Sequence, residues 1–108
     1  MLATVYDAGR RYARELDARN ACLQSLVEDV ADREVRLVLE RDDSLLEWDR
    51  RTLYALARRS GAVDLRYEHL RAAIEPVLAV PDAIAWCWAK GGDWRRRIDP
   101  AVSEVREV

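Results

Sequence analysis

No stretch of this chain limits its fold more than "EVRLVLE", residues 34–40. Val35, Leu37 and Leu39 alternate with Arg36, Val38 and Glu40, a period of two that belongs to a strand. Val38 makes the second face partly apolar as well, as in a strand covered on both sides. The flanking segments carry helical spacing instead. A strand set between helices is an α/β pattern.

Ahead of the strand, Val5, Tyr12, Leu16, Leu23, Leu26, Val27 and Val30 fall near helical spacing. They predict one long amphipathic helix over residues 5–31. Arg19 interrupts its apolar stripe, and Thr4 and Asp7 are both candidate caps for its start. Beyond the strand, "RDD" suits a loop, and Ser44 with Glu47 has the spacing of a capping box. The helix opened there runs through "LLEWDRRTLYALARRS", with Leu46, Leu53, Leu56 and Ala57 on one face, and Gly61 stops it.

"AVDLRYEHLRAAI" fits two templates. Val63, Leu65 and Tyr67 alternate as in a strand, whereas Val63, Tyr67, Leu70 and Ile74 make a helical face. From the residues alone both stay open. Pro81 then suits the first position of another helix, with Asp82 in its first turn at the positive end of the dipole. Gly91 stops that helix. Asp93 opens a short last helix carrying Trp94 and three arginines, and Asp99-Pro100 breaks it. Residues 1–98 read as one domain and residues 99–108 as a weakly amphipathic tail that frays.

Composition narrows the function. Eighteen basic and twenty acidic residues leave a formal charge of -2, so attraction to nucleic acid or a membrane surface has to come from local patches. The start lacks the basic flank and apolar run of a signal peptide, and no stretch approaches the ~20 apolar residues of a membrane span; a cytoplasmic protein is expected. Cys22 and Cys87 lie far apart in apolar contexts and predict two buried thiols, with no zinc spacing. His69 is the only histidine, which excludes a histidine-based metal cluster or triad within the chain.

The densest chemistry lies in "PDAIAWCWAKGGDWRRR", residues 81–97. Two-metal phosphodiester chemistry needs several carboxylates converging on Mg²⁺. The carboxyl end of a strand and the first turn of a helix packed on the same sheet are economical sources of them. Glu40 and Asp82 hold those two positions. Arg95, Arg96 and Arg97 are candidate phosphate contacts, and Trp86 and Trp88 are expected to pack in the core.

"RLVLERDD", "WDRRTL" and above all "EPVLAVPDAIAWCWAKGGDWRRRI" resemble the second half of a family of uncharacterised bacterial ribonuclease-H-like proteins. That family is common in actinobacteria and mobile elements, and its members typically open with an Asp-Glu-Ser-Gly strand. The resemblance covers roughly residues 30–98. It implies a partial ribonuclease-H-like unit: a long N-terminal helix, two or so short strands and two further helices. It also implies that Glu40 and Asp82 belong to a Mg²⁺ site. The chain has no Asp-Glu-Ser-Gly motif and no room for a three-stranded meander before its long helix, so the first-strand carboxylate is missing. A truncated, nuclease-related protein without a complete active site is therefore expected, acting as a scaffold or oligomer.

Two further expectations follow. "LYALARRSGAVDLRYEHLRA" also resembles the helix-turn-helix of small repressors, which gives an alternative reading as a DNA-binding regulator centred on residues 50–72. It would put as many acids as arginines on the recognition helix, a poor match to phosphate. A chain with about two strands also leaves sheet edges open, which predicts a homo-oligomer or a partner chain that completes the sheet.

Overall fold

The computed structural model describes residues 2–62 and 64–108. Its elements follow the order β1 (Ala3–Asp7), α1 (Glu15–Val30), β2 (Arg36–Glu40), α2 (Leu46–Arg59), β3 (Arg66–Leu70), α3 (Ala79–Lys90), α4 (Gly92–Ile98) and β4 (Val102–Glu107). Short 3₁₀ turns precede α3 at Pro76–Leu78 and follow α4 at Asp99–Ala101. The mixed α/β class is as expected. The strands form two small parallel sheets, β2 with β3 and β1 with β4.

The β2–α2–β3 unit is the centre of the fold. Its two strands run in one direction, so the helix between them serves as the crossover that parallel pairing requires. Leu37 faces Tyr67 and Leu39 faces His69 in the register, which puts these four on one side of the sheet. Leu23 and Val27 of α1 and Leu53 and Leu56 of α2 are buried there, with Leu37, Leu39, Trp48, Leu65 and Tyr67 packed against them. Each fully buried aliphatic side chain contributes about 1.5–3 kcal/mol. Val38 and Glu40 belong to the opposite face, as the period of two requires.

The amino-terminal segment departs from the single helix expected over residues 5–31. Thr4, Val5 and Tyr6 are β-branched or aromatic and suit a strand, and β1 finds its partner in β4. Gly9 then takes a left-handed conformation, φ 58°, and donates its N–H to Asp7 Oδ1 at 2.8 Å. That turn separates strand from helix, and neither Thr4 nor Asp7 caps α1, whose N-cap is Arg14. The tail is likewise not frayed: β4 pairs along its length with β1, and Val108 N–H donates to the Asp7 carbonyl at 3.0 Å.

Three smaller differences have local causes. The capping box is not formed; Asp42 Oδ1 instead accepts from the Ser44 N–H (3.0 Å) and hydroxyl (2.7 Å), and α2 begins two residues later. The ambiguous stretch resolves as strand β3, so the second helix of a helix-turn-helix is absent from residues 66–70; Val63, which began both patterns, lies outside the described residues. Pro81 sits in the first turn of α3 rather than at its first position. Gly61, at φ 75°, closes α2 as expected. Among the described residues no helix is long and apolar enough to cross a membrane.

Candidate metal and nucleic-acid site

The carboxyl ends of β2 and β3 open onto a cleft of about 790 Å³. In parallel α/β sheets this is the end where ligands bind. Glu40 is the last residue of β2, and Arg71 follows the last residue of β3. The Arg41 N–H donates to the Leu70 carbonyl at 2.8 Å, which carries the pairing one step past the strand ends. The first turn of α3 supplies Asp82 from the other wall. Glu40, Asp82, Asp43, Arg19, Arg41 and Arg71 all line this cleft.

The two predicted acids therefore line the same cleft. Their neighbours are already engaged. Asp43 accepts from Arg41 Nε at 2.8 Å and Arg71 Nη2 at 2.9 Å; these hydrogen bonds, that from Arg71 foremost, hold its carboxyl below the ordinary range. Asp42 accepts from Ser44 through Oδ1 alone. The ion pairs of the described residues engage Asp43 and Asp49 around the cleft and leave Glu40 and Asp82 out. Both are exposed. Neither has a side-chain hydrogen-bond partner among the described residues, and Asp42 beside them keeps one oxygen, Oδ2, without one.

Behind the cleft lies a buried charge cluster. Asp49, on the core face of α2, is 1% exposed. Arg19 of α1 grips it with two hydrogen bonds, Nε to Oδ1 at 2.8 Å and Nη2 to Oδ2 at 2.7 Å. His69 of β3, its side chain 4% exposed, places Nε2 3.1 Å from Oδ2, and the carboxylate acceptor assigns the hydrogen to that nitrogen. Burial pushes the Asp49 carboxyl up, but the hydrogen bonds from Arg19 and His69 outweigh it and leave the carboxyl below its ordinary value. Arg19, pushed up in turn by its hydrogen bond to Asp49, joins this cluster to the cleft wall. The cluster was missed in the sequence reading, although Arg19 had marked itself by interrupting an apolar stripe.

Arg95, Arg96 and Arg97 are exposed on α4 and do not line the cleft. Arg95 donates twice to the Trp88 carbonyl, at 3.0 and 2.7 Å, and its guanidinium lies 4.4 Å from the Trp88 ring centroid. Arg96 pairs with Asp93 one turn back. Arg97 lies 5.5 Å over the Trp94 ring. Trp88 is half-buried and donates to Asp7 at 3.4 Å. Trp86 is not in the core: it is 53% exposed and meets Trp94 edge to face, with centroids 5.1 Å apart. Cys22 and Cys87 are both free thiols, half-buried rather than buried; burial raises the Cys22 thiol.

No family model, curated protein or solved structure matches the chain. Among the described residues no group of three or more His, Cys, Asp and Glu side chains is arranged to hold a metal ion. A metal in the cleft would rest on Glu40 and Asp82, with Asp42 Oδ2 in the same lining, and on a ligand that brings its own oxygens. Mg²⁺ fits that description, because it keeps several waters and is commonly held by one or two carboxylates plus substrate phosphates.

Proposed function

We propose that the chain is a ribonuclease-H-like unit related to metal-dependent nucleases, which acts as a scaffold for nucleic-acid phosphate. The observation that carries this reading is the placement of Glu40 and Asp82 on one cleft at the carboxyl ends of two parallel strands. Their carboxylates would hold Mg²⁺, which supplies charge neutralisation at a phosphate when bound. Arg19, Arg41 and Arg71 offset part of the charge of the four carboxylates in the lining, and a bound metal ion would supply the rest of the positive charge a phosphodiester needs. Asp43, tied to two arginines, orients them and is itself withdrawn from metal binding. Two carboxylates fall short of the several that two-metal hydrolysis uses, so the expected activity is Mg²⁺-dependent binding without turnover. The open edges of the two-stranded sheets support self-association or completion by a partner strand.

The test is fluorescence anisotropy of a labelled oligonucleotide with and without Mg²⁺, wild type beside Asp82→Asn. The substitution keeps size and removes charge. Mg²⁺ is expected to tighten binding by the wild type and leave the variant unchanged. An equal response from both proteins would remove Asp82 from the site. Cleavage by the wild type alone would mean that the site is complete.

A further inference from the structure

The exposed tryptophan pair of α3 and α4 is unused by the cleft and unexplained by packing. Helix α3 is apolar on nearly every side, yet only Ile84 is buried. An apolar helix left uncovered marks a binding surface. Trp86 is 53% and Trp94 44% exposed. Trp94 already has Arg97 over its ring and Trp86 against it, which leaves Trp86 as the more open ring of the pair. The surrounding charge identifies the partner's sign. Helix α4 carries three arginines against one aspartate, and that aspartate is taken by Arg96. Arg95 and Arg97 have no carboxylate partner among the described residues. An anionic ligand with flat aromatic groups fits this combination, whereas an apolar protein face leaves the arginines unanswered.

Position links the pair to the cleft. Asp82 and Trp86 are four residues apart on α3, so they are neighbours on one helix face, about 6 Å apart along the axis. We propose that Trp86, held in place by Trp94, is a stacking platform for an unpaired base of single-stranded nucleic acid, with Arg97 beside it facing the backbone. This deepens the phosphate-binding reading and rests on it for the path of the strand past Asp82. A duplex keeps its bases stacked on each other, so the platform selects single strands.

The experiment measures binding of labelled oligo(dT), oligo(rU) and a duplex by fluorescence anisotropy in EDTA. Removing metal separates stacking from the carboxylate site. Wild type is expected to bind either single strand more tightly than duplex. Trp86→Ala is expected to weaken single-strand binding by about tenfold, and Trp86→Phe to restore most of it. Because Trp86 is largely exposed, its loss leaves the core intact, and far-ultraviolet circular dichroism checks this. Equal affinity of wild type and Trp86→Ala for single strands, or equal affinity of wild type for single strand and duplex, overturns the proposal. So does a Trp86→Ala effect confined to molecular mass in light scattering, which would make this face a self-association surface. A Mg²⁺ effect lost in Asp82→Asn would survive any of these results.

Discussion

Arg19 and Asp49 form a two-point ion pair between α1 and α2, with 2.8 and 2.7 Å hydrogen bonds meeting a carboxylate that is 1% exposed. Removing one partner leaves a buried charge unanswered, which costs about 3–5 kcal/mol in fully buried pairs. Arg19 keeps 34% of its side chain in solvent, so Arg19→Leu is expected to lose about 2 kcal/mol by urea denaturation. Replacing both residues should cost less than the sum of the single changes, and strict additivity would mean the pair is not coupled.

The same pair sets an acid limb. Net of burial, Arg19 and His69 hold the Asp49 carboxyl below its ordinary 3.8. The unfolded chain therefore binds the proton more readily, and stability rises with pH across this window. The contribution is fully present above the ordinary value and is lost as pH falls through the folded one. Asp49→Asn should flatten the stability profile below about pH 4. An unchanged acid limb in that variant would assign it to other carboxylates.

Tyr6 sets the opposite limb. Burial, with its 2.7 Å hydrogen bond to Asp29, pushes the phenol from 10.0 up to about 12. This stability is fully present below pH 10 and lost as pH rises through the folded value. Tyr6→Phe should lose about 1 kcal/mol at neutral pH, through the hydrogen bond to Asp29. It should also show a shallower decline between the two values in thermal melts recorded across alkaline pH.

Each of these clusters left a partial mark in the sequence. Strand β2 was legible because its alternation is local, and Glu40 and Asp82 were placed by their positions at a strand end and a helix start. The pairing of β1 with β4 joins residues about a hundred positions apart. Helical spacing of Val5 with later apolar residues concealed it. Asp49 stands four residues before Leu53 and seven before Leu56, so it occupies the apolar stripe of α2 that was read without it. His69 shares its alternation face with Tyr67. Periodicity marks which residues share a face but not what covers it, and Trp86 was expected in the core for that reason.

The unpaired strand edges predict assembly. Among the described residues β2 pairs with β3 alone, and β1 with β4 alone. Two-stranded units are rarely self-sufficient. Light scattering at micromolar concentration is expected to give at least twice the 12.5 kDa chain mass. A single-chain mass would mean that helices and loops shield the edges.

The metal-holding role of Glu40 and Asp82 is tested most directly with Mn²⁺, which accepts the same hard oxygen ligands as Mg²⁺ and whose free form is counted by electron paramagnetic resonance. With oligo(dT) present, the wild-type chain is expected to remove more Mn²⁺ from solution than the Glu40→Gln/Asp82→Asn double variant does. Each single variant should fall between them. Equal uptake by wild type and double variant, in samples matched for folded protein, would contradict a metal site built on these two carboxylates.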